Sequence, residues 1–393
     1  MDQAPTIEAQ SESATRARRA LTRRLIDVVG MPETLVSVQE RRVAADLLFD
    51  ILRDGDADLR RRAAQRFAHL NQGPKNVLRM LARDEIDIAR TILEDCKSLD
   101  AVDLLSVIRT SGPEHRLLIA HRPDASAVVA EALVAHGETA VIEALLRNPE
   151  AKLSDDSVER IVDLSRAQPK FAPLLLKRQE MRPANAFLMF WWVGHDERVH
   201  ILRRFAVERA ILLETAADLF RAAAEEHWSD PLVLRTLQLI ERRQRDRVMQ
   251  AESLHENLER AIETAVLDLT TERLDEISLL SGVRPATGAM IFKDHAGEAL
   301  AVFCKATGLK RPYYELLWRT LRGAEAPRRM AELEAGAFAF DILSPPKAQT
   351  VLRYWDWAIG GSSSLDTVSI RPSEADEDGA FLASLASPDL RVA

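Results

Sequence analysis

Apolar residues recur along the chain at helical spacing, in blocks that short polar or Gly- and Pro-containing turns separate. Within each block they fall at i, i+3, i+4 and i+7, which predicts amphipathic α-helices. The first half of the chain contains eight such predicted helices: residues 35–53, 58–70, 75–82, 86–96, 99–109, 113–121, 126–136 and 138–146. Ala, Leu, Arg and Glu dominate throughout, so helix propensity agrees with the periodicity.

The predicted helices share a pattern of a polar cap, an apolar pair one turn later and small residues on the packing face. Asp87-Ile88-Ala89-Arg90, for example, leads into Ile92-Leu93. Helix starts of this kind resemble those of HEAT-type repeats. Because one short helix pair cannot bury its apolar face alone, stacked neighbours must supply the core. The predicted fold is all-α: a HEAT-like α-solenoid of short helix pairs, followed by a less regular C-terminal helical domain.

Changes in repeat pattern and composition along the chain predict its division into four segments. The repeat pattern changes at Arg182-Pro183, after which the helices become longer and bulkier. The last 33 residues contain six acidic and two basic residues, a net charge of −4, and this composition indicates disorder. The predicted segments are a disordered N-terminus (1–14), HEAT-like helical repeats (15–182), a C-terminal helical domain (183–360) and a disordered acidic tail (361–393).

Three stretches of the repeat region carry a more specific resemblance. They are Val-Ala-Glu-Ala-Leu-Val at 129–134, Leu-Leu-Arg-Asn-Pro-Glu-Ala-Lys-Leu-Ser at 145–154, and Leu-Leu-Leu-Lys-Arg at 174–178. They resemble an uncharacterised bacterial family, domain-of-unknown-function family 2336. The similarity continues through 279–283 and 301–309, so it covers most of residues 35–360. No catalytic motif of the family could be mapped onto this sequence. The resemblance therefore implies a fold but does not indicate a reaction.

Charge and cysteine content narrow the classes of function. The net charge is −8, without the basic surplus of most nucleic-acid-binding proteins. Two distant cysteines, Cys96 and Cys304, form no disulfide framework and suit a reducing cytoplasm. The polar N-terminus has no apolar signal-peptide core, and no apolar run is long enough to span a membrane. A cytoplasmic location is therefore expected.

No catalytic constellation stands out in the sequence. It contains no P-loop, dinucleotide-binding, zinc-protease or nucleophile-elbow motif. His195 and His200 lie five residues apart, which turns the two rings to different sides of a helix and disfavours a shared metal. We therefore predict no catalytic, cofactor-binding or metal-binding residue, no cofactor and no enzymatic activity.

Arginines and aromatic residues provide the candidate binding positions. The arginines cluster at 16–24, 60–66 and 242–247, and the alternative to a binding role is pairing with nearby acids on a solvated face. The aromatic residues could be exposed anchors for a partner, with core packing as the alternative. The candidate partner-binding residues are Arg60, Arg61, Arg62, Trp191, Trp192, Tyr354, Trp355, Trp357, Phe381, Leu382 and Leu385.

Three functions remain open at this point. The leading hypothesis is a non-enzymatic scaffold or regulatory adaptor that binds another protein through its helical-repeat surface. Nucleic-acid binding through the arginine clusters is an alternative that the acidic composition disfavours. A small-molecule sensor with a site near residues 191–200 is the third. The sequence leaves open whether the acidic tail docks in its own chain or another, and homo-oligomers are possible.

Overall fold

A computed structural model describes residues 7–31, 35–70, 73–206, 255 and 257–361 of the chain, with side chains described from residue 16 to residue 356. These residues form α-helices and a short 3-10 helix, and no strand occurs among them. The chain divides into two compact units, Met1–Glu180 and Met181–Ala393. The all-α prediction is confirmed.

Unit 1 is a run of short helices. Their bounds are α1 Ile7–Val29, α2 Val38–Arg53, α3 Ala57–Phe67, α4 Lys75–Leu81, α5 Ile86–Asp95, α6 Ala101–Thr110, α7 Pro113–Ala120, α8 Ala127–Ala135, α9 Thr139–Arg147, α10 Asp155–Leu164 and α11 Phe171–Leu175. Each boundary of α2 to α9 lies within three residues of its predicted position. Helix α1 begins at Ile7, so residues 7–14 are helical where the composition indicated disorder.

The helices of unit 1 stack in two rows. One row contains α1, α3, α5, α7, α9 and α11, each in contact with the next. In the other row α2 contacts α4, and α6, α8 and α10 follow one another. Helices α4, α6, α8 and α10 begin at Lys75, Ala101, Ala127 and Asp155, which are 26, 26 and 28 residues apart. This regular stacking of helix pairs is the predicted solenoid.

Small and aliphatic residues fill the space between the two rows. Ala63, Ala64 and Phe67 of α3 are fully buried, and so are Ile92 and Leu93 of α5. Alanine at the packing face lets neighbouring helices approach closely, while the longer side chains fill the remaining volume. The core is therefore continuous from pair to pair, and no single pair has to supply its own.

Polar side chains of one repeat cap the helix ends of the preceding repeat. The Arg122 guanidinium donates to the carbonyl oxygens of Leu93 (2.6 Å) and Cys96 (2.9 Å). Arg178 donates in the same way to the carbonyl oxygens of Asn148 (2.6 Å) and Ala151. The last carbonyls of a helix have no partner within the helix, so these side chains satisfy groups that burial would otherwise leave unpaired. Acids two residues later, Asp124 and Glu180, hold each guanidinium in place.

Ion pairs between repeats give the solenoid a pH dependence that can be measured. Arg116 binds both carboxylate oxygens of Glu138, at 2.8 and 2.6 Å, and these hydrogen bonds hold the pKa of Glu138 below its ordinary value. A lowered pKa in the folded state means stability that is present at neutral pH and disappears as pH falls through the glutamate range. We expect Glu138→Gln to lower the free energy of unfolding by about 1 kcal/mol at pH 7, allowing for solvent screening.

Urea unfolding at pH 7 and pH 3 checks this expectation. The difference between Glu138→Gln and the parent chain should shrink at the lower pH, where the parent's glutamate is itself protonated in part. Glu131→Gln is the matched control, because the Glu131 side chain is exposed on α8. A deficit that stays constant between the two pH values would contradict the assignment.

The described helices of unit 2 surround a buried central helix and are on average about as long as those of unit 1, contrary to the sequence-based expectation of longer ones. Their bounds are α12 Pro183–Met189, α13 His195–Phe205, α14 Leu258–Leu267, α15 Thr271–Leu280, α16 Pro285–Lys293, α17 Glu298–Ala306, α18 Arg311–Arg322, a 3-10 helix Gly323–Arg328, α19 Met330–Ile342 and α20 Pro345–Gly361. Helix α17 contacts α16, α18, α19 and α20, and eight of its nine residues are buried. It is therefore the central helix of the unit.

A helix-end motif occurs twice in unit 2, at positions 26 residues apart. Helices α15 and α17 end in the same motif, with Gly282 and Gly308 in the left-handed region at φ 74° and 79°. The next residues, Val283 and Leu309, are buried and donate their amides back to the helix at 3.1 and 3.0 Å. Glycine adopts this conformation without a Cβ penalty, as in the Schellman motif.

A buried carboxylate fastens the last helix to the rest of unit 2. Asp356 of α20 is 1% exposed and accepts hydrogen bonds from the Arg284 amide and the Thr287 hydroxyl, both at 2.8 Å. It thereby caps the N-terminus of α16 from a distant part of the sequence.

Some sequence-based expectations fall outside the described residues. They concern the helices predicted across 207–254, with the charged stretch 241–247, and the acidic tail from residue 362 onward. Among the described residues, no helix is long and apolar enough to cross a membrane.

Candidate interaction surface

The predicted arginine cluster of α3 does not act as one surface. Arg60 donates to the Gly55 carbonyl (2.5 Å) and pairs with Asp84 at 2.6 Å, and both of these side chains are largely buried. Arg61 pairs with Asp58 at 2.7 Å. Arg62 is exposed, and no ion pair with a described residue accompanies it. The structure therefore separates the three arginines and favours the alternative in which arginines pair with local acids.

The pairing of Arg60 recurs at equivalent positions in other helices. Arg60, Arg116 and Arg198 are each the fourth residue of a helix, and each donates to the carbonyl five residues earlier. Each also pairs with an acid that lies between two later helices: Asp84, Glu138 or Asp294. These guanidinium groups stabilise contacts within the fold. Because their charge is neutralised within the fold, it is not available to phosphates, which weighs against nucleic-acid binding.

Arg198 lies at the centre of a buried ionic cluster in unit 2. One of its terminal nitrogens lies 3.0 and 2.9 Å from the two oxygens of Asp294 and 3.2 Å from Glu298, and its guanidinium lies 4.7 Å from the centre of the Phe190 ring. His195 Nδ1 lies 2.7 Å from the other oxygen of Glu298. Glu298 is completely buried, whereas the His195 side chain is 44% exposed. In the described part of the chain no three His, Cys, Asp or Glu side chains could hold a metal.

The predicted aromatic anchors have different environments. Tyr354 and Trp355 are each 1% exposed, so these two side chains belong to the core, which is the alternative the sequence left open. Their rings pack on Phe187 and Phe190 at 5.0 and 4.9 Å, and the Trp355 indole donates to the Phe187 carbonyl at 3.3 Å. An anchor must reach a partner, and these rings cannot.

The remaining predicted anchors are less buried or lie beyond the described side chains. Trp191 and Trp192 are half-buried, and the Trp191 ring packs on Trp355 at 4.8 Å. The side chain of Trp357 and the tail residues Phe381, Leu382 and Leu385 lie outside the described part of the structure, as do the arginines at 242–247.

Most of the exposed aliphatic residues described in unit 1 lie on its first helix pair. Of the seven large apolar side chains that are exposed among the described residues of unit 1, five belong to α1, α2 and their connection, and the other two are Val102 and Val128. The five are Leu21 (52%), Leu35 (71%), Val38 (71%), Val43 (50%) and Leu47 (52%). Apolar surface that is concentrated in one place on an otherwise polar protein marks an interaction site. We call this group, with the neighbouring arginines of α1, the α1–α2 surface.

Helix geometry places these residues together. Val43 and Leu47 are one turn apart on α2, about 100° around the helix from the buried Ala44 and Leu48. Helices α1 and α2 contact each other across a short connection and are therefore antiparallel. Counting residues from that connection places Leu21 level with Leu47. Leu21, Val43 and Leu47 thus lie at similar positions along the two helix axes, and we call these three residues the apolar stripe.

Basic residues border the stripe on the α1 side. Arg18 and Arg24 lie three residues before and after Leu21, so both flank it on the helix surface, and both are exposed. Arg19 points elsewhere and pairs with Asp56 of α3 at 2.7 Å. Sequence reasoning found these arginines as a cluster but missed Leu21, Val43 and Leu47. The sequence of α2 offered no signal for Val43 and Leu47, because they adjoin Ala44 and Leu48 in one broad apolar side.

Comparisons with known proteins agree with the fold. The family model described as an uncharacterised protein conserved in bacteria (DUF2336) matches residues 88–353. This match extends from α5 of unit 1 into α20 of unit 2, and both the α1–α2 surface and the acidic tail lie outside it. Neither the curated proteins nor the solved structures include a match to the chain. Because the matched region is about two thirds of the 393 residues, the chain belongs to the DUF2336 family of bacterial proteins.

Proposed function

We propose that this chain is a non-enzymatic scaffold that binds another protein, with the α1–α2 surface as its docking site. The observation that carries the proposal is the concentration of half- to mostly exposed aliphatic side chains on one helix pair. Aliphatic groups gain free energy when a partner removes them from water, at about 25 cal/mol per Å² of apolar area. The rest of unit 1 supplies a rigid support, since its helices are capped and paired from repeat to repeat.

Two further features support this proposal. Arg60, from one of the arginine clusters that suggested nucleic-acid binding, is engaged inside the fold, and Arg116, Arg122 and Arg178 of other repeats are engaged in the same way. Cys96 and Cys304 are both buried and unpaired, which fits a protein that works in a reducing cytoplasm. A scaffold of this kind needs a stable shape and an exposed contact face, and no reactive group.

Chemical crosslinking in cells of the source bacterium, followed by mass spectrometry, tests the proposal. We expect crosslinks from the α1–α2 surface to a protein partner, and their loss in the double variant Val43→Asp, Leu47→Asp. The control is Val102→Asp, Val128→Asp, which places the same two charges on valines that are 70% and 58% exposed elsewhere in unit 1. Circular dichroism establishes that both variants fold. If both variants retain every crosslink, or lose crosslinks equally, the docking site is elsewhere or absent.

A further inference from the structure

The two helices of the α1–α2 surface differ in charge. Helix α1 has a net charge of +2, from five arginines and the acids Glu8, Glu12 and Asp27. Its residues 16–29, beside α2, contain the five arginines and only Asp27, a net charge of +4. Helix α2 is neutral, because three arginines balance Glu40, Asp46 and Asp50. The surface is thus basic on one side of its apolar stripe, within a chain whose net charge is −8. A ligand that fits it must present apolar groups to the stripe and negative charge to α1.

The acids of α2 do not cancel this preference. Glu40 is engaged in the capping box with Ser37, where its carboxylate accepts from the Ser37 hydroxyl at 2.7 Å. Asp46 accepts a hydrogen bond at 2.9 Å from the side-chain amide of Asn76 in α4, which lies away from α1. Asp50, three residues after Leu47 on the same side of α2, is exposed and has no such contact among the described residues. It offsets only one of the three exposed arginines Arg18, Arg23 and Arg24 of α1.

The acidic tail of the chain contains a segment with the complementary pattern. Residues 374–378 include four acids, and the apolar residues Phe381, Leu382 and Leu385 follow. Phe381 and Leu385 are four residues apart, so a helix would place them on one side, as Val43 and Leu47 are placed on α2. The acids precede the apolar residues, where the N-terminal end of a helix favours negative charge, and Pro388 follows as a stop.

We propose that the α1–α2 surface of one copy binds residues 374–387 from the tail of a second copy. This inference rests on the proposed function and names the partner: the chain associates with itself, surface to tail. In the complex, Phe381 and Leu385 cover the stripe of Leu21, Val43 and Leu47, and the acids at 376–378 lie against Arg18 and Arg24. Every copy carries both the α1–α2 surface and the tail, so association needs no other component. Because the two surfaces in contact differ from each other, this contact joins copies in rings or open chains.

Sedimentation of the full chain over a range of concentrations is the first test. We expect the mass of the parent chain to rise with concentration. The double variant Phe381→Ser, Leu385→Ser and the double variant Arg18→Glu, Arg24→Glu should both keep the mass of a monomer. The control Arg62→Glu, Arg90→Glu reverses two exposed arginines of α3 and α5, and it should associate as the parent does. A parent chain that is monomeric at every concentration overturns the inference, and so does association that survives both variants.

A labelled peptide of residues 374–387 provides the sharper test, with the Phe381→Ser, Leu385→Ser full chain as receptor. Reversing Arg18 and Arg24 in that receptor should weaken binding at least about tenfold. A peptide with lysine at 376–378 should restore binding to the reversed receptor, since the opposite charges then face each other again. If this exchange of charges fails to restore binding, the assigned contact is wrong.

Binding to anionic lipid vesicles tests the alternative ligand, a membrane surface, which would also attract arginines beside aliphatic groups. Vesicle binding that depends on Arg18 and Arg24, in the absence of peptide binding, overturns the inference. The proposed function has a different readout. If the chain is monomeric but the Val43→Asp, Leu47→Asp variant loses crosslinks to another protein, the proposed scaffold function is supported and self-association is excluded.

Discussion

Replacing Arg198 with methionine is expected to lower the free energy of unfolding of unit 2 by about 3–5 kcal/mol, the usual cost of breaking a buried ion pair by removing one partner. Arg198 is 6% exposed and neutralises Asp294 and Glu298, whose side chains are 8% and 1% exposed. Methionine retains most of the apolar volume and the contact with Phe190, but it offers no donor and no charge. Two buried carboxylates then remain with too few hydrogen bonds and little water.

Urea unfolding followed by circular dichroism measures this loss. The control is Arg319→Met on α18, because Arg319 is about half exposed and its distance to Glu315 is 3.7 Å. Exposed pairs of this kind contribute about 0.3–0.5 kcal/mol. If the two variants lose equal stability, the cluster around Arg198 does not support unit 2.

A triple variant separates charge from packing in the same cluster. Arg198→Met combined with Asp294→Asn and Glu298→Gln removes the cation together with both anions. We expect it to regain part of the stability that Arg198→Met loses, because neutral amides cost less to bury than unpaired carboxylates. A triple variant that is less stable than the single variant would mean that volume and hydrogen-bond geometry, and not charge, determine the loss.

The helices of unit 1 could be predicted closely because their signals are local. Ser37 and Glu40 form the capping box of α2, Asp56 caps α3, and Pro113 opens α7, each within four residues of the boundary that it sets. The apolar spacing of each helix then follows from its own sequence. The disorder predicted for residues 7–14 failed because polar composition alone does not exclude a helix that begins at Ile7.

The ionic cluster of unit 2 could not be predicted because its members are far apart in the sequence. Arg198 and Glu298 are separated by 100 residues, and only the packing of α13 near α17 brings them together. The same applies to Asp356, which caps a helix 72 residues earlier. Periodicity indicates which side of a helix is buried, but it does not indicate which helix covers that side.

The α1–α2 surface was missed for a different reason. Ala44, Leu48, Val43 and Leu47 are all apolar, so the sequence of α2 predicts a broad buried side without dividing it. The structure makes the division, since Ala44 and Leu48 are buried while Val43 and Leu47 are half exposed. Exposed aliphatic residues are informative where the fold gives them no neighbour.

Three arrangements of arginine among the described residues can be told apart by what the guanidinium contacts. In α3, α7 and α13 it bonds a carbonyl five residues earlier and an acid between two later helices. At Arg122 and Arg178 it caps the preceding repeat. At Arg18 and Arg24 it is exposed beside aliphatic side chains. Only the third arrangement leaves charge for a partner, which is why the number of arginines alone was a poor guide to function.

Replacing Arg122 with methionine is the second change for which we expect a large effect, again about 3–5 kcal/mol in the free energy of unfolding. Arg122 is 3% exposed, and the residues whose carbonyls it satisfies, Leu93 and Cys96, are fully buried. Without the guanidinium those carbonyls lose their partner where water cannot replace it. Asp124 contributes little to the loss, because its half-exposed carboxylate can return to water.

Arg90→Met is the control for this prediction, since Arg90 is about half exposed and pairs only with Glu94 one turn away, at 3.4 Å. Hydrogen exchange gives a more specific readout than global unfolding. In a solenoid each repeat contacts only its neighbours, so the loss of one cap weakens the nearest interfaces first. Exchange should therefore accelerate in α5 and α7 and much less in α10. Uniform acceleration across unit 1 would contradict this and would mean that the repeats unfold as one cooperative block.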